Sequence, residues 1–152
     1  MFLDDVTFSS VIEHSPLVSI DLIVRNEQEK VLLGMRRNRP AQVCWFVPGG
    51  RIRKGESLES AFQRLTCLEL GLELSISEAV LLGPYTHLYK YSVFSDEIST
   101  HYVVIAYELS FKEEELRLPS EDQHHSYCWM DKTEILSTDT VHQYTKLYFE
   151  KK

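Results

Sequence analysis

Apolar side chains along the chain form two kinds of run, one with the pattern of β-strands and one with helical spacing. The segment 17–24, LVSIDLIV, is apolar on both faces except at Ser19 and Asp21, which predicts a strand. The polar residues NEQE separate it from a second apolar run, and this favours a hairpin. The predicted strands are 17–24, 30–36, 44–48, 79–91, 100–111 and 127–130.

Helical spacing is clearest after residue 57, where apolar residues recur at intervals of three and four. Ser57 is a plausible N-cap for this helix, and Gly71 is a plausible end. The buried stripe is predicted to contain Leu58, Ala61, Phe62, Leu65, Leu68 and Leu72. A short helix over 3–14 starts near Asp4 or Asp5, and two further helices begin at Asp131 and Asp139. Strands interleaved with one central helix and terminal helices predict a mixed sheet covered on both faces.

Composition narrows the class of protein. A chain of 152 residues predicts one domain, and a net charge of −7 argues against non-specific binding to nucleic acid. No apolar run approaches the ~20 residues of a membrane helix, and the acidic N-terminus lacks the basic start of a signal peptide. Three scattered cysteines are typical of reduced, buried thiols, so we expect a cytoplasmic protein.

Positive charge is concentrated in one part of this acidic chain. Six of the 16 basic residues fall within 19 positions, and they are Arg36, Arg37, Arg39, Arg51, Arg53 and Lys54. Such a patch favours a small anionic ligand, although a solvated basic face is the alternative.

A glycine turn lies inside this basic region, in the sequence PGGRIRKGE. Glycines let a ligand approach the backbone closely, and a turn carbonyl can bind a metal ion. One carboxylate, Glu69, lies near the end of the following helix. Because Mg²⁺ often uses one or two carboxylates together with substrate phosphates, this set of groups suits one metal ion better than several.

The turn and helix resemble the Nudix box, G-x5-E-x7-R-E-U-x-E-E-x-G-U, in which U is a bulky aliphatic residue. The matching positions are Gly50, Glu56, Arg64, Glu69, Gly71 and Leu72. Leu65 and Leu68 stand where the pattern has glutamates, and Thr66 stands where it has an aliphatic residue. The same departures, together with WFVPGGR, RLT, THYVV and EDQH, resemble the GDP-mannose mannosyl hydrolase branch of the Nudix hydrolases over nearly the whole chain.

This resemblance implies a Nudix fold, an α/β/α sandwich with a mixed β-sheet, over a single domain spanning 1–152. It implies that water attacks the anomeric carbon of GDP-mannose or a related GDP-hexose with inversion, assisted by one Mg²⁺ per subunit, and releases GDP and free sugar. The implied metal ligands are Gly49, Glu69 and Gln123, and the implied general base is His124. The resemblance also implies that the departing phosphate is stabilised by Arg36, Arg51 and Tyr102, and that Asp21 lies near the mannose.

Several alternatives stay open at the level of sequence. His125 adjoins His124 and could be the base instead, while His87 could line the sugar pocket or be a structural histidine. The chain could also cleave the pyrophosphate at phosphorus, or bind nucleotide sugars as a regulator without turnover. Arg64 is predicted to pair with a carboxylate of the box, and Leu65 and Leu68 are explained by packing alone. The resemblance further predicts a homodimer formed through the helical segment 1–15.

Overall fold

A computed structural model describes residues 3–36, 43–119 and 126–150, with the backbone alone described for Arg36. Within these ranges, seven strands form one mixed sheet. They are β1 Leu17–Arg25, β2 Val31–Arg36, β3 Cys44–Phe46, β4 Gly49–Arg51, β5 Val80–Tyr89, β6 Thr100–Ser110 and β7 Tyr127–Met130. The α-helices are α1 Asp5–His14, α2 Leu58–Leu70, α3 Lys132–Ser137 and α4 Gln143–Lys146, and 3₁₀ turns occupy Ile76–Glu78 and Glu113–Glu115.

Strand β1 is the centre of this sheet. One edge pairs in parallel with β6 over the whole length of β1, and β6 pairs in antiparallel fashion with β5. The other edge is divided, because β4 pairs with residues 19–21 and β2 pairs at Arg25. β2 continues outward to β3 and also pairs with β7. The predicted hairpin between the first two strands is therefore confirmed.

The two faces of β1 belong to different hydrophobic cores, as the period-two alternation of a strand requires. Ile20 and Leu22 pack in a cluster that includes Phe62 of α2. Ile23 packs in a second cluster that includes Ile135 of α3 and Phe149 near the C-terminus. Helical segments thus cover both faces of the sheet, and the predicted α/β/α sandwich is confirmed.

Helix ends agree with the predicted caps in three of the four α-helices. The side chains of Asp4, Ser57 and Asp131 accept hydrogen bonds from backbone N–H groups in the first turns of α1, α2 and α3. The start predicted at Asp139 is wrong, since α4 begins at Gln143. Residues 140–142 instead pair with Trp45, whose N–H donates to the Thr140 carbonyl at 2.8 Å. This pairing takes the backbone groups that a helix start would use.

Two predictions about α2 also need correction. Leu65 is buried, but Leu58 and Leu68, also predicted for the buried stripe, are 38% and 56% exposed, so burial does not explain the choice of leucine at these two positions. At 3.6 residues per turn, Leu68 lies about 120° around the helix axis from the buried Phe62, at the edge of the apolar stripe. The prediction of buried cysteines fails at Cys67, which lies beside Leu68 and is exposed.

No helix in the described part of the chain is both long enough and apolar enough to cross a membrane.

Candidate functional site

A small cavity of about 60 Å³ opens on the face of the sheet that carries the second hydrophobic core. It brings together five residues that the sequence had marked, namely Asp21, Gly49, Arg51, His87 and Tyr102. The remaining lining residues are Ser19, Phe46, Val47, Gly50, Tyr89 and Val104.

Strand register explains why these distant residues meet. Asp21 of β1 lies opposite Gly49 of β4, and His87 of β5 lies opposite Tyr102 of β6. Paired residues share a face of a sheet, and every second residue returns to that face. Asp21 therefore shares its face with Ile23, while the intervening Leu22 faces the α2 side.

Asp21 lies against the C-terminal part of the chain. The hydroxyl of Tyr148 donates a hydrogen bond to Asp21 Oδ2 at 2.5 Å, and the same hydroxyl lies 3.5 Å from Nε2 of His87. Burial and the neighbouring Asp21 carboxylate raise the pKa of Tyr148 far above its ordinary value, so this hydroxyl keeps its proton. Tyr148 was not among the residues predicted for the site.

His87 is also fixed from the C-terminal side. Its side chain is buried, and its ring stacks on Tyr144 with a centroid separation of 4.4 Å and an interplanar angle of 5°. The Tyr144 hydroxyl accepts a hydrogen bond from the Leu88 N–H at 3.0 Å and donates one to the Leu88 carbonyl at 2.6 Å. Tyr144 and Tyr148 are four residues apart, and this helical spacing was the signal in the sequence that could have marked them as a pair.

Arg51 contacts the N-terminal helix. Its guanidinium carbon lies 4.1 Å from the centroid of the Phe8 ring, the geometry of a cation–π contact. Phe8 in turn meets Phe94 edge to face, with centroids 5.8 Å apart. Helix α1 therefore supports one of the basic residues at the cavity.

A carboxylate–guanidinium pair ties α2 to the loop that follows β4. Arg64 donates to both carboxylate oxygens of Glu56, from Nε at 2.7 Å and from Nη2 at 2.8 Å, which confirms the predicted pairing. Nη2 also donates to the carbonyl of Arg51 at 2.9 Å, and the N–H of Arg53 donates to Glu56 at 2.7 Å. The hydrogen bonds from Arg64 are the main cause that lowers the pKa of Glu56 to about 2.

The predicted glycine turn is wrong, because Gly49 and Gly50 form the start of strand β4 and pair with β1. A Cβ on Gly49 would lie 2.6 Å from Asp21 Oδ1 and would overlap the carbonyl oxygen of Ile20. A Cβ on Gly50 would overlap the side chain of Leu65. Close approach of β4 to the backbone of β1 thus requires glycine at position 49, whereas at position 50 a Cβ would require the Leu65 side chain to move.

The alternation of hydrogen bonds along β4 gives the direction of the Gly49 carbonyl. Leu22 N–H donates to Pro48 and Ile52 N–H donates to Val18, so Gly49 occupies a non-hydrogen-bonded position opposite β1. Its carbonyl therefore turns away from β1, to the same side as the Arg51 carbonyl two residues later, which meets Arg64 of α2.

Glu69 lies on the same helix, half-buried and one turn after Leu65, the residue that touches Gly50. Burial first, and the negative charge of Glu69 second, raise the pKa of Tyr127. A backbone carbonyl and one carboxylate are hard oxygen donors of the kind that Mg²⁺ prefers, so the donor set fits one such ion. Within residues 3–36, 43–119 and 126–150, no three His, Cys, Asp or Glu side chains group together as a metal cluster.

Four predicted side chains cannot be placed in this geometry. Gln123 and His124, together with the alternative base His125, lie outside the described residues. Arg36 ends β2, and its side chain is likewise outside the description.

Comparisons with known proteins agree with this architecture. The family model of the NUDIX domain matches residues 15–150. The low-salt glycan biosynthesis protein Agl8 of Haloferax volcanii is 37% identical over 119 residues, which cover 78% of this chain and 74% of that protein. An ADP-ribose pyrophosphatase of Methanocaldococcus jannaschii is 37% identical over 71 residues, which cover 47% of this chain and 40% of that protein.

Solved structures show the same fold. A MutT protein from Methanosarcina mazei Go1 superposes with a TM-score of 0.68 at 22% identity and covers 90% of this chain and 92% of that chain. A MutT NUDIX hydrolase from Burkholderia pseudomallei gives the same TM-score and identity, with coverage of 90% and 97%. At such identities the likeness concerns the fold alone.

Proposed function

This chain belongs to the NUDIX domain family, and from that premise we propose that it hydrolyses GDP-mannose or a related GDP-hexose to GDP and free sugar. The observation that carries the proposal is the packing of Leu65 against Gly50. A buried leucine fills the position where the Nudix pattern has a glutamate, next to strand β4. This arrangement favours a one-metal reaction at carbon over a reaction at phosphorus that needs several metal ions.

The Gly49 carbonyl and the side chains of Glu69 and Gln123 would hold the metal ion in this proposal. When bound, Mg²⁺ would neutralise charge that develops on the β-phosphate of the leaving GDP. The cavity, which Gly49 also lines, offers a cation, Arg51, for the phosphates and a carboxylate, Asp21, for sugar hydroxyls. Arg36 and Tyr102 assist at the phosphates.

The reaction needs one proton acceptor. Water attacks the anomeric carbon, and a bond forms between the water oxygen and that carbon while the bond from the carbon to the β-phosphate oxygen breaks. GDP leaves with the electron pair, and the water proton passes to a ring nitrogen of His124. An imidazole, whose ordinary pKa is about 6.5, suits this role near neutral pH.

The relatives support different chemistries. Agl8 is named for glycan biosynthesis, which favours a sugar-nucleotide substrate here. The ADP-ribose pyrophosphatase favours cleavage at phosphorus, although its match covers less than half of this chain. A nucleotide-sugar pyrophosphatase is therefore the second candidate function, and a regulator that binds without turnover is the third.

Product analysis in ¹⁸O-labelled water separates these functions. We expect phosphorus NMR of a reaction with GDP-mannose and Mg²⁺ to show unlabelled GDP, with the label on the released mannose. GMP and mannose 1-phosphate, with label on a phosphate, would show attack at phosphorus. Binding without any product would favour the regulator.

The base assignment has its own test. We expect His124→Ala to reduce turnover by about 10²–10⁴-fold while GDP and Mg²⁺ still bind. His125→Ala is the matched control, and a larger loss of turnover in that variant would assign the general base to His125 instead.

Dimerisation through residues 1–15 stays a prediction. Light scattering over a concentration series tests it, and a monomer at every concentration would contradict it.

A further inference from the structure

We propose that Tyr148 is a positioning residue that fixes the Asp21 carboxylate for recognition of a hydroxyl group on the sugar of the substrate. The inference rests on the proposed function, since it takes the cavity to be the site of a GDP-sugar. Its basis is the 2.5 Å hydrogen bond from the Tyr148 hydroxyl to Asp21 Oδ2.

Both oxygens of Asp21 are constrained. Oδ2 accepts a hydrogen bond from the Tyr148 hydroxyl, while Oδ1 lies so close to Gly49 that a Cβ there would be 2.6 Å away. The carboxylate is nevertheless half-buried rather than enclosed, and it lines the cavity. The hydrogen bond from Tyr148 and the close approach of Gly49 therefore hold the carboxylate in place at the wall of that cavity.

Tyr148 is itself held by its neighbours. Its ring meets Tyr85 edge to face with centroids 4.7 Å apart, and its hydroxyl lies 3.5 Å from His87 Nε2. His87 is stacked on Tyr144, whose hydroxyl is anchored to the backbone of β5. A carboxylate supported by such a shell loses little freedom when a ligand binds, which is the condition for selective recognition.

The Asp21 carboxylate, with Tyr148 bonded to it, favours ligand groups that donate hydrogen bonds. An ionised carboxylate accepts hydrogen bonds and cannot donate them, and the O–H of Tyr148 already donates its hydrogen bond to Asp21. A ligand hydroxyl can donate to this carboxylate, whereas the corresponding deoxy sugar would leave it without that partner. Sites built to bond a substrate hydroxyl reject analogues that lack the group.

The test compares Tyr148→Phe with Tyr107→Phe. Tyr107 is a buried tyrosine in the core on the opposite face of the sheet, so its variant controls for loss of a hydroxyl from a packed ring. We expect Tyr148→Phe to lower kcat/KM for GDP-mannose by about 10- to 100-fold and to leave the Kd for GDP unchanged. Tyr107→Phe should change neither quantity more than about threefold.

A double-mutant cycle gives a result that a merely structural role would not produce. If Tyr148 acts through Asp21, the loss from Tyr148→Phe disappears in an Asp21→Asn background, because the charged acceptor is already gone. Additive losses in kcat/KM would overturn the inference, as would equal behaviour of Tyr148→Phe and Tyr107→Phe in an active enzyme.

A measurement without substrate separates this inference from the proposed function. Proton NMR of the free protein should show a protected, downfield hydroxyl proton that is lost in Tyr148→Phe and shifted in Asp21→Asn. A signal that Asp21→Asn leaves unchanged would refute the contact, whatever the substrate. If the contact is present and no GDP-sugar is bound or hydrolysed, the proposed function fails, and the sugar role of Tyr148 fails with it.

Discussion

Replacing Glu56 by glutamine tests how strongly the Glu56–Arg64 pair holds α2 to β4. In the folded protein the pKa of Glu56 falls from its ordinary value of 4.5 to about 2, chiefly because Arg64 donates to it. Without solvent screening, this difference between the unfolded and folded pKa values corresponds to about 3 kcal/mol of the free energy of unfolding at neutral pH. Roughly a fifth of each side chain is exposed, so solvent screening reduces the expected contribution to about 1–2 kcal/mol.

The pH dependence follows from the sign of the shift. Because the folded pKa lies below the unfolded one, the contribution is complete well above pH 4.5 and is lost as pH falls toward 2. Urea unfolding at several pH values measures it, since urea is uncharged and does not screen the pair. We expect Glu56→Gln to be less stable than the parent at pH 7, and less than about half of that difference to remain at pH 3.

The matched control is Glu59→Gln, which removes an exposed carboxylate from the first turn of the same helix. Its effect on the free energy of unfolding should stay within about 0.5 kcal/mol. A Glu56→Gln deficit that is the same at pH 7 and pH 3 would refute the reasoning, since it would then arise from packing rather than from charge.

Three further predictions concern the helix, the metal and the N-terminal segment. Leu65→Glu should lower the free energy of unfolding, measured with urea, by more than about 3 kcal/mol because it buries a charge. Leu68→Glu, at an exposed position, should change that free energy by no more than about 0.5 kcal/mol. Equal losses in the two variants would contradict the packing described for α2. Glu69→Gln should raise the Mg²⁺ concentration for half-maximal activity by about tenfold or more, without changing GDP affinity in EDTA. Phe8→Leu should lower kcat/KM by about 2- to 30-fold through loss of the contact with Arg51, and Phe8→Tyr should restore it.

Much of the fold could be predicted because local signals and tertiary structure agree. Ser57 and Gly71 bound α2 as the sequence indicates, with Gly71 in the left-handed conformation at φ 74°. Asp21 drew attention as the one acid in an apolar strand, and the structure places it at the cavity. A charged residue in an otherwise apolar strand, such as Asp21, indicates where the strand borders a cavity.

The rest of the site depends on contacts that no local pattern contains. Tyr148 meets Asp21 across 127 positions, and only the assembled sheet brings them together. Asp139 carried a helix-start signal that pairing of the next residues with Trp45 overrode. Leu68 had the spacing of a core residue, but it lies where the apolar stripe reaches its edge.

The central position of β1 also affects the order of events in folding. Its parallel ladder to β6 joins residues about 85 positions apart, beginning with Leu17 and Tyr102, so a long loop must close before the ladder can form. Asp21, which lines the cavity, additionally takes its hydrogen bond from Tyr148, near the C-terminus. In a refolding experiment, helical signal can therefore return while the cavity is still incomplete. Regain of activity would then report the last tertiary step of folding rather than the first.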